Sequence, residues 1–210
     1  MKDFFNLFAE SAKELKKVST ITVTALFIVI SMLIESFSID VGFVKLNFAF
    51  LAIAVIGMLF GPSVGLLAGL ACDVVGYLIH PVGPFLIMYT LVGGLQGLIY
   101  GICLYRKANT HSIIYRNNLT DKSTDITLFL RAVVARLIDV IVINLLINTA
   151  LNLHYGFIPA EAFGTAIVAR VAKNVIELAI DLPLLFIILP ASEKAYRQIF
   201  RQKNAVSANK

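Results

Sequence analysis

The sequence predicts an all-α integral membrane protein, a bundle of six transmembrane helices with both termini in the cytoplasm. Three observations carry this. Hydrophobic residues make up 59% of the chain and charged residues 15%, with a mean hydropathy of +0.85; an ordinary soluble domain is roughly 45 to 50% apolar and about 25% charged. One crossing needs about 20 residues, so a chain of 210 residues holds about six crossings and no second folded domain. The cations are also partitioned: thirteen of the eighteen Lys and Arg sit at residues 2 to 17, 106 to 122 and 194 to 210, and only Lys45 falls in the opposite loops. Cytoplasmic flanks carry the excess of Lys and Arg, which places both termini and the 106 to 127 linker inside.

Residues 1 to 17 put Phe4, Phe5, Phe8, Ala12 and Leu15 on one side of a helical wheel and Lys2, Lys13, Lys16 and Lys17 on the other. That pattern predicts an amphipathic helix lying in the membrane interface, in contact with lipids. Six spans follow, at 18 to 35, 47 to 60, 62 to 79, 84 to 105, 128 to 152 and 164 to 190. The second is short for a crossing, and Gly61-Pro62 separates it from the third. The transmembrane domain thus covers 18 to 190, and 191 to 210 form a cytoplasmic tail. Gly57, Gly61, Gly65 and Gly69, and then Gly93, Gly97 and Gly101, recur every four residues. Such spacing lets helices approach closely where lipid supplies no hydrophobic drive; ordinary bundle packing accounts for it, with contact to another protein as the alternative.

The remaining four cations, Arg131, Arg136, Arg170 and Lys173, lie within the spans. At 100° per residue, Arg170, Lys173, Asn174, Glu177 and Asp181 share one face of about 100° on the sixth span. On the fifth, Asn144, Asn148 and Asn152 spread over about 80°, and Arg136 and Asp139 stand at a spacing that allows an intrahelical pair. Asp73 lies mid-membrane in the third. An ionised group at the bilayer centre costs at least about 2.5 to 3.5 kcal/mol, so such groups face a bundle interior or a cavity. A lined polar pocket explains them; buried ion pairs that fix helix register are the competing account.

No phosphate-cradling G-x-x-x-x-G-K-[ST] loop, G-x-S-x-G elbow or H-E-x-x-H motif occurs. The three histidines have no ligand partner three or four positions away, and Cys72 and Cys103 read as packing residues. No enzyme activity, cofactor, metal or nucleic-acid partner is therefore expected. Arg170 and Lys173 can take carboxylates or phosphates, while Glu177, Asp73 and the asparagines suit a ring edge rich in N–H donors. An anionic compound with a polar heterocycle fits this set.

The runs "KLNFAFLAIAVIGMLFGPSVGLLAGLACDVVGYLIHPVGPF" (45 to 85), "TLVGGLQGLIYG" (90 to 101), "INLLINTALNLHYG" (143 to 156) and "RVAKNV" (170 to 175) resemble the folate-family substrate-binding subunit of energy-coupling factor (ECF) transporters. The most specific parts are Phe60-Gly61-Pro62, Asp73-x-x-Gly76, Pro81-x-Gly83 and Asn148-Thr149, in that order. The resemblance implies capture of folate or a reduced folate at the bacterial cell membrane. It implies, too, a transmembrane coupling subunit (EcfT) and two ATPases (EcfA and EcfA') as partners, and a binding subunit that topples in the bilayer with its ligand. Asp73, Asn144, Asn148, Arg170, Lys173 and Asn174 match the family's polar pocket, and Lys45 lies where the first loop would close over it. Glu177 rests on the wheel alone. The family's small residues on its first helix, which meet the coupling subunit, correspond to Ala25 and Val29, so that motif is half present. The alternatives are another water-soluble vitamin on the same architecture, a self-sufficient secondary transporter, and an intramembrane lipid-modifying enzyme using Asp73, Glu177 or Asp181 as acid or base.

Overall fold

The computed structural model describes residues 2–36, 39–41, 44–46, 48–81, 83–105, 114–117 and 122–208. Helix α1 (Lys2–Glu14) leads through a short turn into α2 (Val18–Ser36), and a two-stranded hairpin, β1 (Ile39–Val41) with β2 (Val44–Leu46), precedes α3 (Phe50–Phe60). Next come α4 (Pro62–Ile79), α5 (Ile87–Leu104) and a second antiparallel hairpin, β3 (Ile114–Asn117) with β4 (Lys122–Asp125). The chain then runs helically through α6 (Ile126–Ile138), a π-helical stretch (Asp139–Ile147) and α7 (Asn148–His154), makes a short turn of 3-10 helix at Ala160–Ala162, and ends in α8 (Phe163–Ala208). Helix falls within each predicted span, beginning only at Phe50 in the one read from 47 and at Ile87 in the one read from 84. The two hairpins are the departure from an all-helical chain. The second lies in the polar linker read from 106 to 127, where side chains gave no periodic signal.

Val18–Glu35, Pro62–Ile79, Ile87–Leu104 and Phe163–Ile199 are each long and apolar enough to cross a membrane. α3 is not: its eleven residues span only about 16 Å at 1.5 Å each. It forms the centre of the bundle, with Phe50 to Met58 buried throughout. A helix apolar on every side must be enclosed by protein or lipid, and here Tyr100 and Leu104 of α5, Leu128, Ala132 and Ala135 of α6, and Leu185 and Leu189 of α8 enclose it.

The two glycine series meet each other. A Cβ on Gly65 or Gly69 would strike the carbonyl oxygens of Gly97 and Gly93, one on Gly57 the backbone nitrogen of Gly101, and one on Gly101 the Cα of Pro62. The stripe is therefore an internal seam between α3–α4 and α5, as ordinary packing predicts. α1 docks on the bend between α3 and α4 through two hydroxyls, that of Ser63, which donates to the Phe8 carbonyl at 3.0 Å, and that of Ser11. Ser11, fully buried, donates to the Phe60 carbonyl at 2.7 Å and accepts from the backbone N–H groups of Ser63 at 3.0 Å and Val64 at 3.2 Å. Those are among the orphan donors at the start of α4, which its own N-cap, Gly61, has no side chain to satisfy. Phe4 and Phe5 remain 50% and 70% exposed.

α8 continues past the span predicted to end at 190, through Pro183 and Pro190, for 46 residues, about 69 Å of helix. Its Tyr196 ring meets Phe60 edge-on, with centroids 5.5 Å apart.

Gly97→Ala should drive α5 off α4 and lower the stability in detergent by about 1 to 3 kcal/mol, the usual cost of overpacking; thermal unfolding reads this, and an unchanged melting temperature would contradict the seam. Ser11→Ala should cost about 1 to 2 kcal/mol by removing a cap, and should raise amide exchange at Ser63 and Val64 first.

Candidate ligand cavity

At the end of the bundle away from α1, two chambers share a wall of Glu35 on α2 and Cys72 and Asp73 on α4. The larger, about 830 Å³, is closed by Met32, the end of α4, the turn at 83 to 86, Tyr89 and Phe157. Ligand sites commonly fall between about 300 and 1,000 Å³. Four aromatic rings are in its lining, Tyr77, Phe85, Tyr89 and Phe157: Tyr77 packs on Phe85 at 5.1 Å between centroids, and Tyr155, behind them, lies 6.2 Å from both Tyr89 and Phe157. Tyr89 also donates its hydroxyl to Asn152 Oδ1, tying α5 to α7.

The smaller chamber, about 290 Å³, runs deeper, between Phe50 and Ile53 of α3, Gly69 and Gly93, Gln96, Arg136, Asn144, Lys173 and Glu177. The glycine seam explains its position: with no side chains at Gly69 and Gly93, α4 and α5 close below Asp73 and leave space above. Thr90 Oγ1 donates to Asp73 Oδ2 at 2.6 Å, fixing that carboxylate across the seam. Lys173 Nζ stands 3.4 Å from Glu177 Oε1, one turn apart on α8.

Of the residues singled out from sequence, the chamber brings together Asp73, Asn144, Lys173 and Glu177. Three others make different contacts. Arg170 Nη1 donates to the Asn144 carbonyl at 3.4 Å, Asn174 Nδ2 to the Arg170 carbonyl at 2.8 Å, and Asn148 Nδ2 sits 3.5 Å from Asn144 Oδ1. Lys45 lies in β2 opposite Asp40; its side chain falls outside the described residues. Ala25 and Val29 are both exposed on α2.

The asparagine row expected on one α-helical face is redirected by the π-helical stretch, in which the Asn148 N–H reaches back five residues to the Ile143 carbonyl. The wider turn rotates everything beyond it relative to an α-helical extrapolation. Asn144 therefore faces the chamber, while Asn152 pairs with Tyr89.

Asp181 keeps the face expected of it on α8 but does not line the chamber. It is 2% exposed and pairs with Arg136, whose Nε and Nη2 both donate to Asp181 Oδ2 while Nη1 donates to Asp139 Oδ2. The Arg136–Asp139 pair is the intrahelical contact that the spacing allowed. Gln96 Nε2 completes the cluster at 3.0 Å from Asp139 Oδ1, and the Arg136 guanidinium carbon lies 4.0 Å from the centre of the Phe50 ring. Glu35, Thr90, Tyr89 and Gln96 were not singled out. Gln96 had a signal, as a lone amide in an apolar glycine-rich run; Glu35 ends its span and reads as an ordinary flank.

Among the described residues no group of three or more His, Cys, Asp or Glu could hold a metal ion. The arrangement can bind: aromatic walls for a flat ring, a carboxylate on a fixed hydroxyl for a ring edge, an amide and an ammonium beyond. A helical, membrane-spanning protein with a partly open polar cavity of this kind is a small-molecule binding or transport component. The family model described as "ECF transporter, substrate-specific component" matches residues 19–189, and the chain belongs to that family. It is similar to the "Folate transporter FolT" of Clostridium novyi (strain NT), 32% identical over 94 residues; that match takes in 44% of this chain and about half, 55%, of the relative's length. It also resembles the crystal structure of FolT bound with folic acid, with a TM-score of 0.64 and 26% identity over 82% of this chain and 94% of that one.

Arg136→Ala would leave Asp139 and Asp181 buried without their partner, a loss of about 3 to 5 kcal/mol. Unfolding in detergent should show it as a large drop in melting temperature; a drop no larger than that of a surface variant would contradict the pairing.

Proposed function

We infer that this chain captures folate or a reduced folate for an ATP-driven ECF uptake transporter. The observation that carries the reading is the likeness to folic-acid-bound FolT over most of both chains, together with a cavity whose groups suit that ligand. A pteridine ring fits between aromatic walls, its amino edge can donate two parallel bonds to Asp73, and the tail carboxylates have Lys173 and Arg170 within the same region. Asn144 and Glu177 complete the chamber. Asn148, whose amide sits beside that of Asn144, and Asn174, one turn beyond Arg170, extend the polar lining toward the ligand, and Lys45 belongs to the loop that would cover the entrance.

Six crossings of a bacterial cell membrane suit the positions of the helices, with α3 as the short central one. The cation excess at residues 2 to 17, 106 to 122 and 194 to 210 puts both termini in the cytoplasm. The boundaries that follow are an interfacial helix at 1 to 17, a transmembrane binding domain at 18 to 190 and a cytoplasmic tail at 191 to 210. Energy comes from partners, a coupling subunit EcfT and the ATPases EcfA and EcfA', with the exposed α2 face bearing Ala25 and Val29 as the coupling contact. A second vitamin on the same fold is the other reading, since fold does not set substrate.

Calorimetric titration of the purified protein with folic acid, without nucleotide, should show saturable binding. Lys173→Ala should weaken it by at least about 1.5 kcal/mol, the lower range for a bond to a charged group. No binding of any folate, with binding of a different vitamin in a competition panel, would reassign the substrate. In liposomes the chain alone should not accumulate folate; accumulation without an ATPase partner would favour a self-sufficient transporter.

A further inference from the structure

Arg136 stands on the wall of the smaller chamber, with three of its five N–H groups committed to carboxylates. Its guanidinium gives one donor to Asp139 and two to Asp181, and its face lies on Phe50. Asp139 takes a further bond from Gln96, which lines the same chamber. Two carboxylates on one guanidinium leave the ionised cluster one negative charge in excess. The three side chains are 5%, 0% and 3% exposed, so solvent screens that excess weakly. The other charged groups facing the chamber are Glu35, Asp73, Glu177 and Lys173; Lys173 is its one cation besides Arg136 among the described residues.

We propose that the Arg136–Asp139–Asp181 cluster is a charge filter in the inner wall, which decides which end of the ligand enters the deep chamber. Its excess negative charge disfavours ligand carboxylates beside Gln96 and Arg136 and turns them toward Lys173. The wall accepts an uncharged, N–H-bearing edge instead. Arg136 is a positioning residue here: it holds Asp139 and Asp181 where their charges act. The cluster ties four parts of the chain together at this level, through Phe50 of α3, Gln96 of α5, Arg136 with Asp139, and Asp181 of α8. Such a cluster could fix helix packing alone, so the test must read charge as well as stability.

The choice of ligands rests on the folate reading; the charge excess does not. Folic acid, with two tail carboxylates, and pteroic acid, with one carboxylate, would be titrated calorimetrically into the purified full chain. Asp181→Asn removes the excess and should strengthen folic acid relative to pteroic acid by about tenfold, the scale of one unit charge acting across a partly buried site. Arg136→Gln doubles the excess and should move the ratio the opposite way. A ratio equal to wild type in both variants overturns the filter and leaves a packing role only. A ligand-free series runs beside it: Arg136→Gln should lower the melting temperature, and adding Asp181→Asn should recover part of the loss. A double variant that melts no higher than Arg136→Gln overturns the charge excess. A wild-type chain that binds neither ligand counts against the folate reading, and the melting series then decides the cluster.

Discussion

An ionised group at membrane depth must find a partner or a wet space, because hydrocarbon offers neither. That requirement organises the upper half of this bundle. Arg136 meets it by pairing: its charge is shared between Asp139 and Asp181 and its face is covered by Phe50. Asp73, Lys173 and Glu177 meet it differently, on the walls of a chamber. The two solutions sit side by side, so the paired cluster forms the back of the cavity and the half-satisfied groups form its mouthward side. Buried ion pairs and a lined pocket, which the sequence set against each other, both occur, and the division between them falls at Gln96 and Arg136.

Backbone contacts make that arrangement possible. The glycine seam lets α4 and α5 touch main chain to main chain, which places Asp73 within reach of Thr90 and opens space where the helices diverge. α3 stays short and wholly apolar, so it fills the centre beneath the chamber without intruding on it. Ser11 reaches from α1 to supply the cap that Gly61 cannot, tying α1 to the base of the helix that carries Asp73.

Much of this was legible in the sequence for a physical reason: apolar runs of crossing length and the cations at their ends report directly on lipid and water. The positions of α2, α4 and α5 follow from those runs, and the polar face of α8 follows from the wheel. What was hidden depends on long-range geometry. Nothing local marks Asp139–Ile147 as π-helical, so the asparagine row was extrapolated as α-helix and only Asn144 reached the chamber. Asp181 shares its face with Lys173 and Glu177, yet its partner is 45 residues away in sequence, on a helix whose distance no periodicity gives. Ser11 looked like one polar residue on an amphipathic helix; its role depends on a turn 50 residues downstream.

The two chambers beside Asp73 are the proposed seat of the ligand. A structure determined with folic acid bound tests that placement most directly. The expected result is a ring edge on Asp73, tail carboxylates toward Lys173, and Arg136 still held by Asp139 and Asp181. Folic acid seated elsewhere, with Lys173 and Glu177 still paired and the chambers unfilled, would contradict it.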